Sequence, residues 1–206
     1  MAVIVRLSRF RTTRPAFDAA LRAVTLPDLR RQPGILATFA GRQGPEEIGP
    51  RLLATLWSSE DAMRAGLGTE AGDTDDLADT TERRVDVLSA TVVQLAPVPL
   101  PSGIVRLARA RLRDIDVATY ARLVADELLS MRASGRGPSD LVMATPGAGA
   151  FLMLSTWTDW SAVEAATGAS VSEPLRTKRL AALEDFEVDH YELLTDLAPG
   201  EALTRA

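Results

Sequence analysis

Cysteine is absent from the 206 residues, and histidine occurs once, at His190. The first absence removes disulfides, thiolate metal ligands and thiol nucleophiles together. The second leaves no set of imidazoles for a zinc or iron centre. Lysine is almost missing as well: Lys178 is the only one, and arginine carries the rest of the positive charge. Aromatic residues make up only 5% of the chain, which gives little material for a large stacked cavity. Acidic residues outnumber basic ones by 28 to 23, for a formal net charge of −5. That balance is opposite to the basic face of a nucleic-acid binder. No apolar run reaches the roughly 20 residues that a membrane-spanning helix needs. The opening MAVIVRLSRF carries Arg6 and Arg9 inside its apolar stretch, unlike the apolar core of a secretory signal. The expectation is a cytoplasmic protein that binds neither nucleic acid nor membrane.

What is present is a sequence that contains itself twice. Residues 4–11 read IVRLSRFR and residues 104–111 read IVRLARAR, identical at six of eight positions at an offset of 100. The same offset relates Arg22 to Arg122, Leu52 to Leu152 and Trp57 to Trp157. Tryptophan is rare, so the last match weighs most. Between the copies, Pro97, Pro99 and Pro101 alternate with other residues. Alternate prolines remove backbone donors and hold the chain extended, so neither a helix nor a central strand crosses them. The repeat predicts a first domain at 1–95, a proline-rich linker at 96–102, a second domain at 103–195 and a tail at 196–206.

Each copy reads β-α-β-β-α-β. In the first, residues 2–10 form a strand, with Val3, Val5 and Leu7 on one face and Ile4, Arg6, Ser8 and Phe10 on the other. Thr13 and Pro15 open a helix with Phe17, Leu21 and Val24 as its stripe, which Pro27 kinks or ends. Strands at 34–41 and 51–57 follow. Ser58 to Asp61 reads as a capping box for a second helix, and a strand at 85–95 closes the copy. In the second copy Asp116 caps a helix that Gly135, Gly137 and Pro138 end. Strands at 140–145 and 150–157, a helical stretch at 172–183 and a strand at 186–194 complete it. This is the split βαβ ferredoxin-like unit, an α+β fold. Two such units in one chain are expected to pack sheet to sheet as an intramolecular α/β barrel.

The opening strands IVRLSRFR and IVRLARAR, the strand-ending tryptophans of LLATLWSSEDAM and LMLSTWTDWSAV, and the closing VDHYELL resemble the dimeric α/β barrel superfamily, and within it the antibiotic biosynthesis monooxygenase-like domain. The resemblance spans both halves. It implies a monooxygenase-like enzyme without a bound cofactor, acting on an aromatic or polyketide-type substrate. A non-catalytic ligand-binding or stress-associated protein of the same fold is the alternative, and a homodimer of the fused pair is a further expectation. Haem-degrading relatives use an Asn on the first strand, a Trp near the third and a His on the second helix. Here Arg6 and Arg106 take the Asn place, Trp57 and Trp157 match the Trp, and neither copy has the His, so haem chemistry ranks last.

Arg6, Arg106 and His190 are the candidate catalytic residues. Each arginine sits among apolar residues and is expected on the strand face away from the helices, where a guanidinium clamps a carboxylate or phenolate. The plainer role is an ion pair with an acid such as Glu192. His190 suits proton transfer near neutral pH, or a structural hydrogen bond. It shares a strand face with Glu192, and at an offset of 100 the first copy has Ala90 and Val92 there, so any site is asymmetric. Trp57 and Trp157, with Thr55, Ser155, Glu192 and Phe10, are candidates for contact with a planar ligand; the tryptophans equally suit stapling a strand end to the next helix. The acidic run from Gly66 to Thr81 lacks a calcium-loop pattern and reads as solvated.

Overall fold

The computed structural model describes residues 2–12, 17–44, 49–67, 80–147, 149–168, 170–178 and 180–195. The two halves repeat strand for strand. β1 (Ile4–Thr12) runs antiparallel to β3 (Gly49–Trp57), pairing Ile4 with Trp57 and Arg6 with Thr55. β5 (Ile104–Leu112) runs antiparallel to β7 (Ala150–Trp157), pairing Ile104 with Trp157 and Arg106 with Ser155. The duplication read in the sequence is therefore a duplication of register. β2 (Ile35–Arg42) and β6 (Asp140–Gly147) flank β3 and β7 in their own halves. The hydrogen-bonded strand order is β1-β3-β2-β8-β5-β7-β6-β4, an α+β, ferredoxin-like arrangement in tandem.

The compact units do not follow the repeat boundary. One comprises Met1–Val87 with Tyr191–Ala206, the other Leu88–His190. Both cuts fall within closing strands, β4 (Thr80–Gln94) and β8 (Leu183–Leu194). Each closing strand thus contributes one segment to each unit. The end of β8 pairs Leu194 with Ala40 and Glu192 with Arg42 in the first unit. The end of β4 pairs Val93 with Val142 in the second. Gly41 permits the first of these contacts, since a Cβ there would lie 2.5 Å from that of Tyr191. Between the closing strand β4 and β5, residues 95–103 have no regular structure. The Ala96 N–H donates to Asp140 at 2.8 Å, and Gly103, at φ 148°, passes so close to the Trp157 carbonyl that only a glycine fits.

In the first unit, β1 is followed by a helical run in three pieces, Phe17–Ala20, Leu21–Thr25 and Leu26–Arg30, here α1. Its middle is a π turn in which the Leu26 N–H donates to the Leu21 carbonyl. The extra residue of a π turn rotates everything beyond it. Burial accordingly passes from Phe17 and Leu21 to Leu26 and Leu29, and Val24, expected in the stripe, is exposed. Pro27 does not end the run, because it falls in the first turn of the last piece, where a missing donor costs little. α2 (Glu60–Leu67) is capped by Ser59, whose hydroxyl accepts from the Ala62 N–H at 3.1 Å, rather than by Ser58. The Ser58 N–H is held by the Gly34 carbonyl.

The second unit has the longer helix, α3 (Val117–Ala133), with the Asp116 carboxylate accepting from the Thr119 N–H as its sequence requires. Tyr120, Val124 and Leu128 pack against Ile104, Ala108, Ala110, Leu141, Met143, Phe151 and Met153. Its second helix is α4 (Trp160–Thr167), capped by Asp159 and ended by Gly168 in the left-handed conformation. The helical stretch expected at 172–183 is not formed. Pro174 lies in irregular chain, and only the short 3-10 turn Leu180–Ala182 precedes β8. No helix among the described residues is long and apolar enough to cross a membrane. Thr13 and Pro15, most of the acidic run (Glu70, Asp73, Asp75, Asp76 and Asp79 included) and the tail from Ala198 lie outside the described residues.

Candidate functional site

The arginines face the helices, not away from them as expected. Strand alternation puts Arg106 on the side of β5 that carries Ile104, Ala108 and Ala110, and these three pack with α3 and α4. Arg6 likewise shares a side with Ile4, which packs on α2, and Phe10, which packs on α1. Both guanidiniums are buried, at 1% exposure for Arg6 and 0% for Arg106. Burial lowers each pKa to about 10, with the Arg83 charge adding to the effect at Arg6. Both stay cationic at neutral pH.

A common framework surrounds each arginine. Across the strand pair, Thr55 stands opposite Arg6 and Ser155 opposite Arg106. Each hydroxyl accepts from the next tryptophan on its strand face: Trp57 Nε1 donates to Thr55 at 2.9 Å, and Trp157 Nε1 to Ser155 at 3.0 Å. Both indoles are fully buried in core clusters. They brace the strand ends rather than line an open face.

The surroundings then diverge. In the first unit Arg6 Nη1 donates to Ser8 at 2.8 Å, and Arg83 is its charged neighbour. In the second, Arg106 Nη2 donates to the Glu173 carbonyl at 2.6 Å, and its guanidinium lies 5.6 Å from the Phe186 ring centroid. The chain bearing Glu173 is pinned over the sheet at several points. Leu175 is buried in the core, the Arg176 N–H donates to the Ala166 carbonyl, and the Lys178 N–H donates to the Glu127 carboxylate. Arg106 Nε and Nη1 are buried and have no hydrogen-bond partner among the described residues.

His190 belongs to this second group. Its imidazole lies 5.2 Å from the Trp160 ring, centroid to centroid, and its Nε2 is buried without a partner among the described residues. Burial, then the Arg106 charge, lower its pKa to about 4, against a smaller opposing effect of Asp189. It is therefore neutral across the physiological range. Asp189 itself is bound to Arg109. Trp160 comes to His190 because Asp159 caps α4 and fixes its first turn.

The remaining candidates go elsewhere. Glu192 pairs with Arg42 at 2.9 Å and meets neither buried arginine, so the ion pair considered for Arg6 or Arg106 is not made. Phe10 is a core residue, edge-on to Phe17 at 5.6 Å. The first-copy counterpart of His190 is Val87 rather than Ala90. Arg9 pairs with Asp86 as Arg109 pairs with Asp189, and Glu82 and Asp185 share an unusual positive φ, so the closing strands align at an offset of 103. By that alignment Phe186 answers to Arg83. The asymmetry expected from the lone histidine remains. Trp160, at a helix start and partly exposed as its sequence position suggests, was not a site candidate in the sequence reading, and neither was Phe186. Phe186 was findable there, since it lies on the face of His190 four residues earlier in the same strand; the Glu173 contact is a backbone carbonyl, which no side-chain pattern announces.

No family model matches the chain, and neither does any curated protein. Solved structures do. A protein of Lactobacillus acidophilus NCFM, provisionally named a monooxygenase, superposes with a TM-score of 0.69 at 13% identity, covering 94% of this chain and 93% of that one. An anthrone oxidase-like protein gives 0.58 at 14% identity, over 100% and 97%. A ferredoxin-fold protein from Listeria monocytogenes 4b F2365, related to antibiotic biosynthesis monooxygenases, gives 0.51 at 12% identity, over 94% and 95%. The chain shares the tandem ferredoxin-like fold of these proteins. At such identities the likeness establishes the fold alone, and what the chain does must come from its own side chains.

Proposed function

We propose that the second unit binds a small aromatic molecule at Arg106 and His190 and oxygenates it with dioxygen, without a bound cofactor. The observation that carries this reading is the pair of unsatisfied buried groups, Arg106 Nε and Nη1 and His190 Nε2. Buried polar groups are costly without partners, and a ligand oxygen would supply them. An anthrone-type substrate, suggested by the name of one structural neighbour, fits the chemistry. His190 Nε2 takes a proton from the ring methylene, and Arg106 faces the charge that develops on the enolate oxygen. The electron-rich carbon then reacts with dioxygen: CH2 plus O2 gives C=O plus H2O, so the substrate supplies the electrons. Trp157 and Ser155 act at one remove, by fixing the strand that stands opposite Arg106.

The test is oxygen uptake with anthrone in buffer containing a chelator and no flavin. The expected result is one dioxygen consumed per anthrone and anthraquinone formed well above the protein-free rate. A rate equal to that of buffer alone would overturn it. The second reading is a non-catalytic ligand binder, favoured by the low proton affinity of His190, which makes it a weak base.

A further inference from the structure

Among the described residues the charge balance around Arg106 is incomplete. Its guanidinium is wholly buried, yet its partners are a neutral carbonyl, that of Glu173, and a neutral ring, that of Phe186. Neither supplies negative charge. Asp189, the acid whose charge reaches His190, is committed to Arg109. A buried cation without a counter-charge is expensive, and two of its three nitrogens still have hydrogens unspent. The neighbouring imidazole is neutral and likewise has an open nitrogen. Phe186 and Trp160 give the group flat apolar neighbours, and Trp160 remains 42% exposed, so that side borders solvent.

We infer that this group is a receptor for one oxyanion borne by a flat apolar body, an aromatic carboxylate or a phenolate. The oxyanion takes the free nitrogens of Arg106, and His190 Nε2 contacts the same oxygen. It takes the proton of a bound phenol and then donates it back as an N–H, or it donates directly to a carboxylate in the Nε2–H tautomer. The inference deepens the reading above and rests on its placement of the ligand in the second unit. The first unit lacks the arrangement, because Val87 and Arg83 stand where His190 and Phe186 would be.

The test compares 1-naphthoate with its neutral analogue 1-naphthamide on the untagged chain, neither being an oxygenation substrate. Binding is followed by tryptophan fluorescence and by the imidazole proton signal, which belongs to His190 alone because the chain has one histidine. The expected result is naphthoate at least tenfold tighter than naphthamide, a shift of the His190 signal on binding, and at least a fivefold loss with His190→Ala. Arg106→Gln is expected to abolish the preference for the anion; if that variant does not fold, His190→Ala and the wild-type comparison decide. Equal affinities, no binding of naphthoate, or binding that leaves the His190 signal unmoved would overturn the inference. Naphthoate binding without anthrone oxidation would remove the oxygenase and keep the receptor; anthrone oxidation without a preference for the anion would do the reverse.

Discussion

Trp157 donates its indole N–H to the Ser155 hydroxyl two residues earlier on the same face of β7, at 3.0 Å. One hundred residues earlier Trp57 does the same to Thr55, at 2.9 Å. The repetition makes a pair of matched experiments. Trp57→Phe and Trp157→Phe each leave a buried hydroxyl without its donor and remove part of a buried ring system. Each is expected to cost about 1–3 kcal/mol in urea denaturation. The two losses should agree, since the register of each strand pair is the same. A large difference between them would mean that the two frameworks are not mechanically equivalent.

His190 should titrate far below an ordinary histidine. Its pKa is lowered from the ordinary 6.5 to about 4, so between these values the unfolded chain binds a proton that the folded chain does not. The imidazole therefore contributes stability above pH 6.5 that is lost as pH falls towards 4. The single imidazole signal, followed by NMR through that range, is expected to give a midpoint near 4. A midpoint near 6.5 would place the ring in water.

Trp160 is what covers that ring on the side of α4. Trp160→Ala removes cover without touching the buried arginine, so the midpoint of His190 should rise towards its ordinary value. An unchanged midpoint would assign the shift to the Arg106 charge alone.

Two glycines with positive φ separate backbone conformation from close approach. Gly149, at φ 70°, has nothing within 4 Å of the place a Cβ would take. Gly149→Ala should cost about 1 kcal/mol, for conformation alone. Gly103, at φ 148°, would press a Cβ onto the Trp157 carbonyl. Gly103→Ala should cost more than about 3 kcal/mol, because the site is both conformationally restricted and closed. Thermal melts of the two variants measure the difference.

Much of the fold was legible before the structure. The Trp57/Trp157 match and the repeated IVRL strands carry the duplication, and strand alternation placed Thr55 with Trp57 and Ser155 with Trp157. The side on which Arg6 and Arg106 lie was read wrongly for a physical reason. A charged residue in an apolar strand looks like a residue of the uncovered face, whereas here the carbonyl of Glu173 and the hydroxyl of Ser8 meet the guanidiniums under the helices. The position of Val24 was missed because a π turn changes the helical period in mid-run. The counterpart of His190 was missed because the offset between the copies changes from 100 to 103 before the closing strands, which the ion pairs of Asp86 and Asp189 and the positive φ of Glu82 and Asp185 reveal.

In the proposed oxygenase, Arg106 and His190 together make the second unit reactive towards an aromatic substrate. Oxygen uptake with anthrone, measured on the wild type and on His190→Asn at equal folded concentration, tests it most directly. The wild type is expected to form anthraquinone, and His190→Asn, with its melting temperature little changed, to be slower by roughly a hundredfold, the usual contribution of a positioned base. Equal rates for the two proteins would contradict it.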